Sequence, residues 1–366
     1  MASIIGSPSR YIQGKNEMEN ICSYTEKFGK KMFVLVSKSG KGRVEAAISK
    51  SAQKQGMEVV YEIFNGECSN NEINRVGEAF KKSGAGCLVG IGGGKILDTV
   101  KAAAYYHKVP AVSVPTTAAT DAPCSALSVI YTDDGVFEKY LFLPANPDIV
   151  LVDTVIVAKA PRRLIVSGMG DALATYFEAR ATARKDGKNC FNGTKSLTAQ
   201  ALARLCYDTL IADGYNAAVA VEKGACTQAV ENIIEANTYL SGVGFESGGI
   251  AGSHAVHNGL TAIPETHKFY HGEKVAFGVI TQLVLENAPR AELHEVLDFC
   301  ISVGLPVCLA DLDIKNPTEK ALMDVAALAC APADTMGNMP FAVTPFDVYN
   351  AILGADAIGS KYKNKV

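Results

Sequence analysis

The chain has 366 residues, 48% of them apolar and 20% charged, and a formal net charge of -3. That length exceeds one ordinary core and predicts two domains, and the balance excludes a disordered chain. No basic tract runs beyond a couple of residues and no apolar stretch reaches the thickness of a bilayer, so neither a nucleic-acid partner nor a membrane span is expected.

To about residue 155, short β-rich runs alternate with helical ones. MFVLVS (32–37) reads as a strand and GRVEAAISKSAQKQ as a helix. MEVVYEIF (57–64) and NEINRVGEAFKKSG repeat the pair, as do GCLVGIGG and KILDTVKAAAYYHK, and AVSVP (111–115) is a fourth strand. This order predicts a parallel sheet with right-handed crossovers. ALSVIYT, the turn DDG and EKYLFL predict a hairpin, and PDIVLVD a further strand near residue 150. After Pro161 the strand-like runs stop. RRLIVSGMGDALATYFEARATAR, SLTAQALARLCYDTLI, TQAVENIIEANTYLSGVGF and EKVAFGVITQLVLENA all carry helical period. The expected architecture is an α/β domain with a parallel sheet over residues 1–160, followed by an all-α domain over 161–366.

The N-terminus, MASIIGSPSRYIQGKNEMEN, turns polar too soon for a signal peptide. Ten cysteines are scattered with no CxxC pair, which fits thiols in a reducing cytoplasm better than a disulfide framework.

GIGGGKILDTVK leaves a buried strand and enters a helix. Gly92, Gly93 and Gly94 are expected to adopt dihedrals closed to other residues and to let a phosphate reach the backbone. The helix N-terminus would supply free N–H groups, and Lys95 a charge. A tight strand–helix connection would use the same glycines. VPTTAATDAPCSALSVIYT follows the fourth strand and places Thr116, Thr117, Thr120, Asp121 and Ser125 where ligands gather in parallel sheets. A plain Pro- and Thr-rich surface loop is the competing reading.

Asp171, His254 and His271 come from three separate segments. One carboxylate and two imidazoles match a three-ligand catalytic metal site, which leaves a coordination position for water or substrate. Asp171, after Gly168 and Gly170, is placed near a helix start, where an N-cap is the commoner role. A lone buried histidine is usually a satisfied core group. Here four of six histidines (His254, His257, His267 and His271) fall within eighteen residues, which favours a metal or proton-transfer site. Gly252, Gly259 and Gly272 flank them and suit close packing.

These motifs resemble, from end to end, the glycerol dehydrogenases of the iron-containing (group III) alcohol dehydrogenase superfamily. The likeness runs through SPSRYIQG, GIGGGK, TDAPCSALSVIYTD, GDALATYFEAR, EANTYLSGVGFESGG, HAVHNGLTAIP and YHGEKVAFG. The resemblance implies a dehydroquinate synthase-like fold with the site between the two domains. It implies zinc held by Asp171, His254 and His271. It makes the first domain the dinucleotide-binding one and assigns Gly94, Lys95, Thr116, Thr117, Ser125, Leu127 and Tyr131 to the nicotinamide cofactor, with Asp98 a further contact and Asp121 touching the substrate hydroxyls. The glycine turn and the threonine loop add Gly93 and Thr120 to the expected cofactor contacts, and Ser37 joins them at the end of the first strand. Phe245 either lines the cleft or packs in the core.

The implied reaction is reversible oxidation of glycerol and related vicinal diols to dihydroxyacetone and its analogues, with hydride passing to NAD. The implied assembly is a homo-oligomer, often an octamer. Iron-dependent relatives carry a fourth ligand one turn after the Asp; here that position is Thr175, which favours zinc. Relatives commonly place Asp at the end of the first strand for the adenosine ribose. This chain has Ser37, then Lys38 and Lys41, so NADP tolerance is expected beside NAD. A lyase of the same fold needs several basic residues near the metal to hold a phosphate, and only Lys268 and Lys274 are offered. A non-catalytic zinc or nucleotide-binding protein is the remaining rival.

Overall fold

The structure is a computed structural model and describes residues 2–365. Six strands form one parallel sheet: β1 (Tyr11–Gly14), β2 (Lys31–Val36), β3 (Glu58–Ile63), β4 (Cys87–Gly92), β5 (Ala111–Pro115) and β8 (Ile149–Asp153), in the order β1-β8-β5-β4-β2-β3. Between β5 and β8, β6 (Leu127–Tyr131) and β7 (Phe137–Phe142) make a separate antiparallel hairpin. β4, β5 and β8 are buried along their whole length. Both faces therefore take apolar side chains, which is why these strands read as continuous apolar runs.

Helices cover the two faces. Met32, Val34 and Val36 of β2 pack with α1 (Ile21–Thr25) and α2 (Lys38–Gln55). Phe33 and Leu35, pointing the other way, pack with α3 (Asn70–Ser83) and α4 (Gly94–His107). After the short α5 (Thr154–Ala158), the rest of the chain is helical. It comprises α6 (Arg162–Lys185), α7 (Leu197–Val221), α8 (Gln228–Glu235), α9 (Ser241–Gly248), α10 (Gly252–Leu260), α11 (His271–Leu285), α12 (Arg290–Val303), α13 (Glu319–Ala329) and α14 (Pro345–Lys363). Its core reaches the sheet through Val150 and Val152 of β8 and through Ala118 and Cys124 of the loop after β5. Among the described residues, no helix is long and apolar enough to cross a membrane.

Three details depart from the sequence reading. β1 was not expected; four residues carry too little pattern, and the strand exists because it pairs with β8. Ser37 ends no strand; its hydroxyl caps α2, accepting from the Gly40 N–H at 3.0 Å. Asp171 lies in the middle of the 24-residue α6, not near a helix start, because the helix runs straight through Gly168 and Gly170.

Candidate active site

The crossing of α6, α10 and α11 makes the centre. A Cβ on Gly272 would stand 1.8 Å from the Ser167 carbonyl oxygen, so α11 begins in backbone contact with α6. A Cβ on Gly278 would stand 2.3 Å from the Ser253 carbonyl oxygen, so α11 also presses on α10. These contacts bring Asp171 of α6, His254 of α10 and His271 of α11 together.

The Asp171 Oδ1 lies 3.1 Å from His271 Nε2 and 3.4 Å from His254 Nε2. One ligand atom from each residue falls within 4.8 Å of the others. Asp171 is buried, and its Oδ1 has no hydrogen-bond partner, whereas Oδ2 accepts from the Asp121 N–H at 3.3 Å. A buried carboxylate oxygen left bare between two imidazole nitrogens fits a divalent cation with nitrogen and oxygen ligands.

Outer contacts fix both rings. His254 Nδ1 donates to Glu178 Oε2 at 2.6 Å, and Glu178 Oε1 accepts the backbone N–H groups of Ala251 (3.0 Å) and His254 (2.9 Å). His271 Nδ1 lies 3.0 Å from His257 Nε2, and His257 Nδ1 lies 3.0 Å from Asn258 Oδ1. The consistent tautomers have each Nδ1 donating, which leaves both ligand Nε2 atoms free of protons for a cation. His257 is therefore an orienting group. His267 lies apart, its Nε2 at 2.9 Å from the Thr261 carbonyl.

Electrostatics follow the geometry. Burial would raise the Asp171 carboxyl, but His271 and His254 override it and hold it well below the usual range. Burial would lower His254, yet Glu178 and Asp171 hold it well above an ordinary imidazole. Burial, then the neighbouring Asp171, pushes Asp121 well up. Asp121 Oδ2 accepts from Ser241 Oγ at 3.0 Å, and Thr175 Oγ1 sits 3.0 Å from that same hydroxyl. A π-turn at Ala236–Leu240 joins α8 to α9 and aims this wall, setting Asn237 on the carbonyls of Ala118 and Ile165, both at 2.9 Å. Phe245 follows on α9, buried.

The second half of the site lies at the sheet's switch point. The chain leaves β2 through α2 toward β3 on one side and leaves β4 through α4 toward β5 on the other. Ligands of open α/β sheets bind in that crevice. Ser37 and the Gly92–Gly94 turn sit at its lip. None of these glycines has a positive φ, and Gly93 is extended at φ −87°. The expectation of special dihedrals is thus corrected. The reason for glycine is room: a Cβ on Gly93 or Gly94 would meet nothing within 4 Å, so the turn is bare backbone facing open space at a helix N-terminus.

Lys95 pairs with Glu67 at 2.5 Å and stands 5.5 Å above the Tyr131 ring. Thr116 N–H donates to the Gly92 carbonyl at 3.1 Å, so the threonine loop with Thr117 and Thr120 runs beside the glycine turn. Asp98 is buried within the protein: it pairs with Lys101 at 2.9 Å and accepts from the Val129 N–H at 3.1 Å.

Lys101 and Glu246 escaped the sequence reading. Lys101 Nζ, fully buried, donates to the carbonyls of Ala122 (2.8 Å), Ser125 (3.3 Å) and Leu127, and to Ser125 Oγ (3.2 Å). Glu246 takes the Ala126 N–H and the Asn146 amide, each at 2.6 Å. Together they clamp the loop that carries Ser125 and Leu127. Their only sequence signal was a charge inside an apolar helical run.

Comparison with known proteins places this arrangement. The profile described as iron-containing alcohol dehydrogenase matches residues 8–154. Glycerol dehydrogenase of Pseudomonas putida is 52% identical over 362 residues, 99% of each chain. A glycolaldehyde reductase of Halobacterium salinarum is 44% identical over 365 residues, 100% of each. The crystal structure of glycerol dehydrogenase from Schizosaccharomyces pombe superposes with a TM-score of 0.95 at 36% identity, covering 99% of this chain and 92% of that one. Half of all positions shared along the full length of such a relative leaves no other assignment: the chain belongs to the glycerol dehydrogenases, within the iron-containing alcohol dehydrogenase family.

Proposed function

We propose that this chain oxidises glycerol and related vicinal diols to dihydroxyacetone and its analogues, reversibly, with NAD as hydride acceptor and zinc held by Asp171, His254 and His271. The observation that carries the reading is the bare, buried Asp171 Oδ1 between two oriented imidazoles, one backbone hydrogen bond away from Asp121. Three protein ligands, with Thr175 where a fourth would stand, favour zinc with an open position. When bound, zinc supplies Lewis-acid stabilisation of negative charge on the reacting oxygen, and NAD accepts the hydride.

The protein's own residues do the rest. Glu178 and His257 keep the two histidine rings aimed. Asp121, fixed by Ser241, accepts a neighbouring substrate hydroxyl and orients the diol. Phe245 narrows the cleft and keeps water out. The bare Gly93–Gly94 turn receives the pyrophosphate, with Lys95 swinging from Glu67 toward it. Thr116, Thr117, Thr120, Ser125, Leu127 and Tyr131 line the nicotinamide half. Asp98 works at one remove by tying α4 to β6. Ser37 offers no carboxylate to a 2′-phosphate, so NADP is accepted with lower preference. Ten unpaired cysteines suit a reducing compartment, and we place the enzyme in the cytoplasm as a homo-oligomer, with an octamer the expected form.

A polyol panel run with NAD and with NADP, with and without a chelator, tests substrate, cofactor and metal together. His254→Ala and His271→Ala should each lose zinc and turnover while remaining folded. Full activity in a metal-free His271→Ala protein would end the proposal.

A further inference from the structure

We infer that the exposed face of α7 is the surface through which two copies of this chain pair about a two-fold axis. The inference does not depend on the catalytic reading. α7 has 25 residues and spans about 37 Å. Its solvent side steps by four and three residues through Ala201, Leu205, Asp208, Ala212, Tyr215 and Val219, all exposed. Leu197, at the N-terminal end, is 92% exposed; Leu205 is 52%, Tyr215 58% and Val219 44%. That spacing is the seam of a helix packed on another helix at a shallow angle. A helix facing only water carries charge on its outer side, as α2 does with Lys38, Arg43, Glu45, Lys50 and Lys54. Along the exposed face of α7, only Arg204 and Asp208 are charged.

Those two charges identify the occupant. They are opposite in sign, one turn apart, and paired at 2.6 Å. They straddle the middle of the apolar stripe. An isologous contact must be complementary to itself. With a second α7 laid antiparallel and the axis at the level of Cys206, Arg204 comes across from the second copy's Asp208, and Leu197 across from its Tyr215. The same register satisfies charge and apolar burial together, and the alanines at 201 and 212 let the helices approach. A membrane surface would call for a row of basic residues along the helix; within α7 the one base is Arg204, and Asp208 neutralises it.

The test uses the purified full-length protein and its mass in solution by light scattering. Arg204→Asp and Asp208→Arg, made separately, each set like charges against like across the axis. Each should at least halve the mass of the wild-type assembly. Mixing the two variants should restore it, because one then presents only acids and the other only bases. Both positions are exposed, and thermal melts check that the variants stay folded. A monomeric wild type, variants that keep the wild-type mass, or a mixture that fails to reassemble would each overturn the inference.

Discussion

Gly170 and Gly272 meet backbone to backbone: a Cβ on Gly170 would stand 2.2 Å from the Gly272 carbonyl oxygen. Each glycine is the chain neighbour of a candidate metal ligand, Asp171 and His271. The closeness of the helices therefore sets the closeness of the ligands. Gly170→Ala forces α6 from α11, at a cost of about 1–3 kcal/mol for overpacking. The expected result is a lower melting temperature together with weaker zinc retention in dialysis. Gly93→Ala is the contrast. Its Cβ meets nothing, so stability should stay within roughly 0.5 kcal/mol, while KM for NAD rises because the methyl occupies the space proposed for the pyrophosphate.

Glu178 contacts no reacting atom, yet it holds His254 at Nδ1 and at the backbone. Removing its charge loosens ring orientation and weakens the imidazole as a donor. Glu178→Gln should reduce zinc affinity roughly 10- to 100-fold, read by competition with a chromophoric chelator. Affinity for NAD, measured by fluorescence titration, should not change. Unaltered zinc affinity would remove Glu178 from the site.

The distance between legible and illegible parts of this protein follows from what each part is made of. The parallel sheet was legible because buried strands are runs of apolar residues between glycines. Asp171, His254 and His271 were legible because few histidines exist and they cluster. Glu178, Lys101 and Glu246 were not, because their partners are mostly backbone N–H and carbonyl groups supplied by segments far away in sequence. Lys101 reaches 21 to 26 residues along the chain, and Glu246 reaches back 120 to the Ala126 N–H. No side-chain pattern encodes a backbone partner. The glycine turn joins β4 to α4 as read, but without the expected dihedrals, since open space beside a backbone leaves the same residue in the sequence as a left-handed φ.

Among the described residues, Lys101 is the cation paired with the buried Asp98 carboxylate, and it anchors carbonyls of the loop it clamps. Lys101→Met strands both. Breaking such a pair from one side costs about 3–5 kcal/mol. Urea unfolding should show that loss, and adding Asp98→Asn in the same chain should return part of it by removing the orphaned charge. A single variant as stable as wild type would mean that the ammonium carries no structural weight.

Glu246 gives a pH dependence with a definite sign. Burial pushes its carboxyl up from 4.5 to about 7, against the lowering effects of the Ala126 N–H, the Asn146 amide and the Lys101 charge. A carboxyl whose folded value exceeds its unfolded one binds its proton more tightly in the native state. Its contribution to stability is therefore complete below about pH 4.5 and is lost as pH rises through about 7. At 1.36 kcal/mol per unit, the difference amounts to about 3 kcal/mol. Glu246→Gln abolishes this titration while keeping an acceptor for Ala126. The variant should lose stability between pH 5 and pH 8 less steeply than wild type, roughly by that amount, in denaturant midpoints taken across the range. Parallel profiles for the two proteins would show that Glu246 ionises with the same ease folded and unfolded, and that the contacts at Ala126 and Asn146 offset its burial in full.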